Sequence, residues 1–239
     1  MRLNIAETLA AAPSGAEFVV VVDVFRVWAS VFAVLDQGAD VLLARDAQQA
    51  LALRSEHPDW ILAGEQLGVL PEGFDYPNSP SRLQSANLAG RTVVLATDAG
   101  TPAAFAVGDA GRVLLASFIN ASATAECLTE SKASAGWLLA PGERGEIRSL
   151  EDTMCAMFLK NAVEGYPNSY EVLRKHLRGL PSAAMFFDSA RDDAPELDFE
   201  LCMDLDRYDH VLEAVPDGQG LYRVRRHGGA THTSQGGAV

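Results

Sequence analysis

Cysteine is scarce in this 239-residue chain: Cys127, Cys155 and Cys202 are far apart and odd in number. No C-x-x-C pair occurs, so neither a disulfide framework nor a cysteine zinc site is expected, and the thiols read as reduced. Histidine is little used as well. His57, His176, His210, His227 and His232 show no H-E-x-x-H or other paired spacing and read as surface residues. Positive charge is short: 19 lysines and arginines stand against 32 aspartates and glutamates, a formal net charge of −13. Such a surface repels nucleic acid and anionic lipid, so neither is an expected partner. It would also repel a small anion, unless arginines, amides or a metal ion gathered locally. No apolar run is long enough to span a bilayer, since the stretch from Val19 to Leu35 is broken by Asp23 and Arg26. The opening MRLNIAETLAAAPSGAE places Asn4 and Glu7 where a signal peptide needs an apolar core, and a cytoplasmic protein is expected. Neither G-x-G-x-x-G nor G-x-x-x-x-G-K-[ST] occurs, so a dinucleotide fingerprint and a P-loop are both unsupported.

What is present is apolar material, 48% of the chain, ample for one sizeable core. Short apolar runs alternate with helical patterns. VVVVD (19–23), ADVLLA (39–44), WILAGE (60–65), RTVVLAT (91–97), RVLLAS (112–117) and GWLLAP (136–141) read as strands. Between them lie helical patterns at 27–39 and 46–57, at SRLQSANL, from Pro102, and at 121–131, with Asp46 as N-cap of the second. Strands that are apolar on both faces and alternate with helices imply an α/β protein with a parallel sheet covered on both sides. Residues 1–145 therefore form a sheet region carrying most of the candidate motifs. Residues 146–226 read as a helical segment, including SAAMFFDSARDD, followed by closing strands or a hairpin from DFELCMDLDRYD onward, packed as a second lobe of one compact unit. Residues 227–239 have little to bury and read as a disordered tail.

Polar residues collect where these strands end. Asp23 and Arg26 follow VVVV, and Glu65 follows ILAG. Thr97, Asp98, Gly100 and Thr101 follow VVLA, Asn120 follows VLLAS, and Gly142, Glu143 and Arg144 follow WLLAP. Open α/β sheets bind ligands at the carboxyl ends of their strands. Each residue also has a bland account. Asp23 can cap a helix, Glu65 can open a solvated loop, and Asn78-Ser79-Pro80 is a good helix start. Glu151 and Asp152 can simply complement a helix dipole. Taken together, backbone N–H groups at Asn78-Ser79 and Gly100-Thr101 suit phosphate oxygens. Carboxylates at neighbouring strand ends suit Mg²⁺, which needs only one or two of them plus waters and substrate oxygens. Arginine adds bidentate phosphate contacts. That combination fits hydrolysis of a phosphate ester.

The order of the pieces resembles one family, the ComB-like 2-phosphosulfolactate phosphatases, from about Phe18 to about Arg226. The resemblance is carried by VVVDVFR (20–26), LAGEQLG (62–68), GFDYPNSP (73–80), TDAGT (97–101), SFINASATA (117–125), APGERG (140–145) and LEDTMCA (150–156). It implies a three-layer α/β/α fold, Mg²⁺ dependence, and release of phosphate from 2-phospho-3-sulfolactate on the route to coenzyme M. The family's D-x-x-R falls on Asp23 and Arg26, its G-E on Gly64 and Glu65, and its N-S-P on Asn78, Ser79 and Pro80. Its G-T falls on Gly100 and Thr101, its N-A on Asn120 and Ala121, and its E-D on Glu151 and Asp152. Three departures stand out. Val27-Trp28-Ala29-Ser30 replaces a run of hydroxyls, Pro77 replaces a glycine, and Asp98-Ala99 replaces Thr-Asn.

The expected activity is thus a Mg²⁺-dependent phosphatase acting on a small phosphorylated 2-hydroxy acid. Asp23, Glu65 and Asp152 are expected at the metal. Arg26, Asn78, Ser79, Gly100 and Thr101 are expected at the phosphate, and Asn120 orients substrate or water. Arg144, with Arg82 as a second candidate, meets the substrate's acid groups. The nucleophile is a water or, alternatively, a carboxylate or serine of the chain. A non-catalytic homologue that binds a phosphorylated metabolite is the alternative reading, and a homo-oligomer is compatible with the family.

Overall fold

The computed structural model describes residues 1–228. Strand β1 (Arg2–Ala6) and a 3-10 turn lead to β2 (Phe18–Val22), α1 (Val27–Leu35), β3 (Asp40–Leu43), α2 (Ala47–Glu56) and β4 (Ile61–Gly64). A long loop then carries the two-residue β5 (Tyr76–Pro77) into α3 (Pro80–Gln84), β6 (Thr92–Ala96), α4 (Gly100–Ala106), β7 (Arg112–Ala116), α5 (Ala121–Glu130) and β8 (Ala135–Leu139). The remainder comprises α6 (Leu150–Glu164), α7 (Tyr170–Arg178), a 3-10 segment (Pro181–Phe187), α8 (Glu196–Cys202), β9 (Val211–Pro216) and β10 (Tyr222–His227).

Among the described residues the strands form one sheet in the order β1-β8-β2-β7-β9-β10-β3-β6-β4-β5. Two parallel blocks, β1-β8-β2-β7 and β3-β6-β4-β5, are joined by the β9–β10 hairpin, which pairs antiparallel with β7 on one side and β3 on the other. The blocks therefore run in opposite senses along the ladder. A flat sheet would send the ends of β2 and β6 to opposite edges. These strands are five places apart, and a twist of roughly 20–25° per step accumulates to about 100° or more. That rotation swings the carboxyl ends of the two blocks toward each other, and α4, which follows β6, packs against β2.

Both faces of the sheet are covered, as an all-apolar strand requires. In β2, Val19 and Val21 pack with α1 and α4 on one face, while Val20 and Val22 pack with α5, α6 and α8 on the other. Helix α2 covers the second block's opposite face through Leu42, Leu62 and Val94. The result is three layers, α/β/α. Helix α1 lies deep, with Val27 through Val34 buried.

Three details depart from expectation. DFELCMDLDRYD, expected to open a closing strand or hairpin region, begins within α8: its polar–apolar alternation imitates a strand, yet Phe199, Cys202 and Met203 are buried at helical i, i+3, i+4 spacing. SAAMFFDSARDD is only a 3-10 segment, uncapped, burying Ala183 and Phe186 at the three-residue repeat of that geometry. Strand β10 extends to His227, the first residue of the expected tail, and that tail from 229 onward lies outside the described residues.

Candidate functional site

Asp23 ends β2, and its environment is built by three segments. Its backbone N–H donates to the Ala116 carbonyl (3.2 Å), and its Oδ1 accepts from Val27 N–H (3.4 Å) at the start of α1. Gly100, the first residue of α4, presses against it: a Cβ there would lie 2.7 Å from Asp23 Oδ2 and 2.5 Å from Val27 Cγ1. Glycine at position 100 is thus required for the close approach of α4 to the acid. From a third direction comes Asp152, in the first turn of α6, whose Oδ1 accepts from Val24 N–H (2.8 Å). Ser149 caps that helix, accepting from Asp152 N–H (3.2 Å).

Asp23 and Asp152 are both buried. Burial pushes the Asp23 carboxyl up to about 7, with negative charge at Glu65 adding to the rise and the Val27 N–H opposing it. Burial also raises Asp152 well above the usual range, reinforced by Asp23 and Glu151. Two neighbouring buried carboxyls that resist ionisation demand either a proton or a cation.

Next to this pair is a fully buried arginine. Arg26 Nη1 donates to the Asp193 carbonyl (2.7 Å) and to Asp198 Oδ2 (3.0 Å), while Nη2 stands 3.5 Å from Glu65 Oε2. Its Nε and Nη2 make no hydrogen bond although buried. The Asn78 side chain is fully buried too; its amide makes no well-formed hydrogen bond, though it lies near enough to Glu65 to lower that carboxyl's pKa. Such groups are costly to bury unpaired and normally have partners. Asn78 is placed by its N–H donating to the Gly64 carbonyl (2.8 Å), and Gly64 allows an approach that any side chain would block, since a Cβ would fall 1.9 Å from the Ala96 carbonyl oxygen. Glu65 follows. Burial raises its carboxyl above the ordinary value, and Arg26 opposes that rise.

Asp23, Glu65 and Asp152 line one cleft of about 560 Å³. Asp98, Glu143 and Glu151 line it as well, so six carboxylates face two arginines, Arg144 and Arg148. Phe25, Leu67, Leu180 and Met185 supply an apolar wall. Asp98 is tethered, its Oδ2 accepting from Leu67 N–H (2.5 Å), and Glu151 accepts from Ser182 Oγ (2.9 Å). Arg144 sits in a left-handed conformation (φ 52°) within a loop pinned by a Glu143–Ile147 bridge.

Other expected residues hold turns. Asn120 Oδ1 accepts from Ser117 N–H (3.0 Å) and its Nδ2 donates to the Leu115 carbonyl (3.2 Å). Thr101 Oγ1 accepts from Thr97 N–H (2.9 Å) and Ser79 Oγ accepts from Arg82 N–H (3.3 Å). Arg82 Nη2 donates to the Asp192 carbonyl (3.0 Å) and does not line the cleft. Trp28 does not reach the cleft either. Its indole is buried in the core and donates to the Val21 carbonyl (3.1 Å), so the lost hydroxyl run changes packing rather than the cleft wall. Sequence reasoning did not single out Asp193, Asp198 or Arg148. Nothing in the spacing of DDAPELDFE marks Asp198, because its partner lies 172 residues away.

The donor set can be matched to a metal by its chemistry. Among the described residues no group of three or more His, Cys, Asp or Glu is arranged to hold a metal ion by itself. That argues against a closed zinc or calcium cage. The buried Asp23–Asp152 pair fits Mg²⁺ instead, which keeps several waters and takes one or two carboxylates.

Residues 4–215 match the sequence pattern of the family described as 2-phosphosulpholactate phosphatase. The chain is 30% identical over 215 residues to a probable 2-phosphosulfolactate phosphatase of Thermoplasma acidophilum, covering 86% of this chain and 89% of the relative. It is 28% identical over 209 residues to one of Bacillus subtilis, covering 85% and 90%. One from Deinococcus radiodurans is 43% identical over 107 residues, covering 44% and 45%. No helix among the described residues is long and apolar enough to cross a membrane.

Proposed function

The chain belongs to the 2-phosphosulfolactate phosphatase family, and from that premise we propose that it is a Mg²⁺-dependent phosphohydrolase of a small phosphorylated 2-hydroxy acid, with 2-phosphosulfolactate as the first candidate. One observation carries the reading. Two buried carboxyls that call for a proton or a cation line a cleft otherwise too acidic for an anion, and behind its wall lie a buried guanidinium and a buried amide whose hydrogen bonding is incomplete.

In this reading Asp23 and Asp152 hold the ion, with Glu65 within reach of the same cleft. Bound Mg²⁺ would neutralise phosphate charge and lower the pKa of a water. Everything else falls to the chain. Arg26 and Asn78 are buried behind the cleft wall and do not line it; from there Nε, an Nη2 exchanged from Glu65, and the Asn78 amide would meet phosphoryl oxygens. Glu65, next to Arg26 and raised by burial, can accept or return a proton at the reacting oxygen. Arg144, on the far loop, meets the carboxylate or sulfonate, with Arg148 joining it only by exchanging its ion pair with Glu7. The apolar wall from Phe25, Leu180 and Met185 limits water around the ester. Ser79, Thr101 and Asn120 contribute by fixing turns rather than by touching substrate.

Phosphate release tests this. The folded protein is assayed on 2-phosphosulfolactate and on a panel of phosphorylated 2-hydroxy acids, with Mg²⁺ and with a chelator. Release that requires Mg²⁺ is expected on at least one substrate. No release on any of them overturns the reading, and tight binding without release identifies a non-catalytic homologue.

A further inference from the structure

We propose that Asp198 is the positioning residue of the phosphate corner, fixing Arg26 and the Asn78–Ser81 turn in one mutual orientation so that the Nε–Nη2 edge of the guanidinium and the Asn78 amide face the same anion. The inference rests on the phosphohydrolase reading and extends it to a residue that never enters the cleft.

Asp198 lies in the first turn of α8 and has no solvent exposure. Its two oxygens serve different segments. Oδ2 accepts from Arg26 Nη1 (3.0 Å), and Oδ1 accepts from Ser81 N–H (2.9 Å). One carboxylate thereby bridges the β2–α1 junction and the start of α3, which carry the buried Arg26 and Asn78 side chains with incomplete hydrogen bonding. The division within the guanidinium is informative. Nη1 is saturated by Asp198 and the Asp193 carbonyl, whereas Nε makes no hydrogen bond and Nη2 has only the longer ion pair with Glu65 (3.5 Å). Phe186 packs within 5.8 Å of Arg26 Cζ and restricts the plane further. A buried ion pair of this kind adds little net stability over well-packed apolar residues. Its consequence here is direction. Without Asp198, Nη1 would lose its charged partner, and Glu65 (3.5 Å from Nη2) is the next acid in line. The existing long Nη2–Glu65 contact would then tighten into Arg26's main ion pair, drawing that edge of the guanidinium away from phosphate.

The test reads binding of inorganic phosphate by calorimetry in the presence of Mg²⁺, together with kcat and KM on the best ester. In Asp198→Asn the acceptor for Ser81 N–H persists, but an amide N–H₂ can replace the oxygen that faced Nη1. Phosphate Kd and KM are expected to rise at least tenfold, with a smaller change in kcat and an unchanged circular dichroism spectrum. A folded Asp198→Asn protein with wild-type phosphate Kd and KM overturns the proposal. Should that variant fail to fold, Arg26→Met and the double variant Arg26→Met/Asp198→Asn decide, because neither leaves an unpaired guanidinium. If Asp198 acts through Arg26, both lose phosphate binding equally. A double variant more than threefold weaker than Arg26→Met, or an Arg26→Met protein that binds phosphate normally, overturns it. The two readings fail separately: wild-type protein that binds phosphate but hydrolyses no ester sinks the phosphatase, while the positioning role stands or falls on the phosphate Kd alone.

Discussion

Helix α8 takes part in two ion-pair networks that differ in nearly every physical respect. On its inner side Asp198 meets Arg26, and neither side chain is exposed. On its outer side Glu200 meets Arg174, and Glu196 meets Arg178, with side chains 38 to 60% exposed. The inner pair leaves two buried arginine nitrogens without hydrogen bonds, one of them in a longer ion pair with Glu65. The outer pairs are screened by water, and Arg178 additionally lies over the Phe187 ring, 4.0 Å from its centroid. The same two chemical groups thus do different things. Where water is excluded a charge pair dictates orientation and leaves donors to be used. Where water is present it is an ornament of small energy.

Removing one carboxylate from each network should break the symmetry most visibly. Asp198→Ala removes the nearer of the two acids paired with a buried guanidinium and is expected to lower stability by about 3 kcal/mol, read as a drop in the urea midpoint. An outcome below about 1 kcal/mol would mean that water reaches Arg26 readily.

Asp23→Asn probes the acidic side of the same corner. The asparagine oxygen can still accept from Val27 N–H, and the desolvation of a charge is gone. Stability without metal is therefore expected to hold or rise at pH 8, while kcat/KM falls about 100-fold or more. A variant that loses both activity and stability would place Asp23 among structural caps.

The acid dependence follows from the same burial. Asp23 is raised from 3.8 to about 7, so the folded state keeps its proton where the unfolded chain has released it. Between about pH 4 and 7 the unfolded state binds fewer protons than the native state, and stability must fall as pH rises. Asp152, also raised by burial, acts in the same sense. Asp109, Asp193 and Glu213 are lowered and act in the opposite sense, but their change is complete at more acid pH. Thermal scans of metal-free protein from pH 5 to 8 should show Tm declining, by an amount on the order of a few kcal/mol in stability. Added Mg²⁺ binds the ionised form, so its stabilisation should grow over the same range. A flat Mg²⁺ effect across that window would remove Asp23 and Asp152 from the metal site.

These comparisons also show where reading the sequence stopped. The alternation of apolar runs with helical patterns from Val19 to Leu139 was legible because both faces of each strand are buried, leaving continuous Val and Leu. The acids at strand ends were legible for the same reason: a carboxylate breaking an apolar run is conspicuous. Direction was not legible. Asn120 and Thr101 have the residue types of ligands and the geometry of turn caps, and only the fold says which backbone groups they meet. Trp28 looked like a change in the site and is core. The opposed senses of the two sheet blocks depend on where the β9–β10 hairpin inserts, a long-range pairing with no local signal. Asp198 was hidden twice, by an alternation that imitates a strand and by a partner far away in the chain.

The smallest effect belongs to the outer face of α8, and it sharpens the contrast by being small. Glu196→Gln and Glu200→Gln keep size and polarity while removing charge. The arginines they leave behind remain hydrated, so no buried charge is stranded. Exposed pairs contribute about 0–1 kcal/mol, and less at high salt, where the Debye length shortens. The double variant should therefore shift the urea midpoint by no more than the equivalent of about 1 kcal/mol, an amount that shrinks in 1 M salt, with kcat and KM unchanged. If instead KM rose, the outer network would be steering α8, and through it Asp198, so that the two faces of the helix would be one device rather than two.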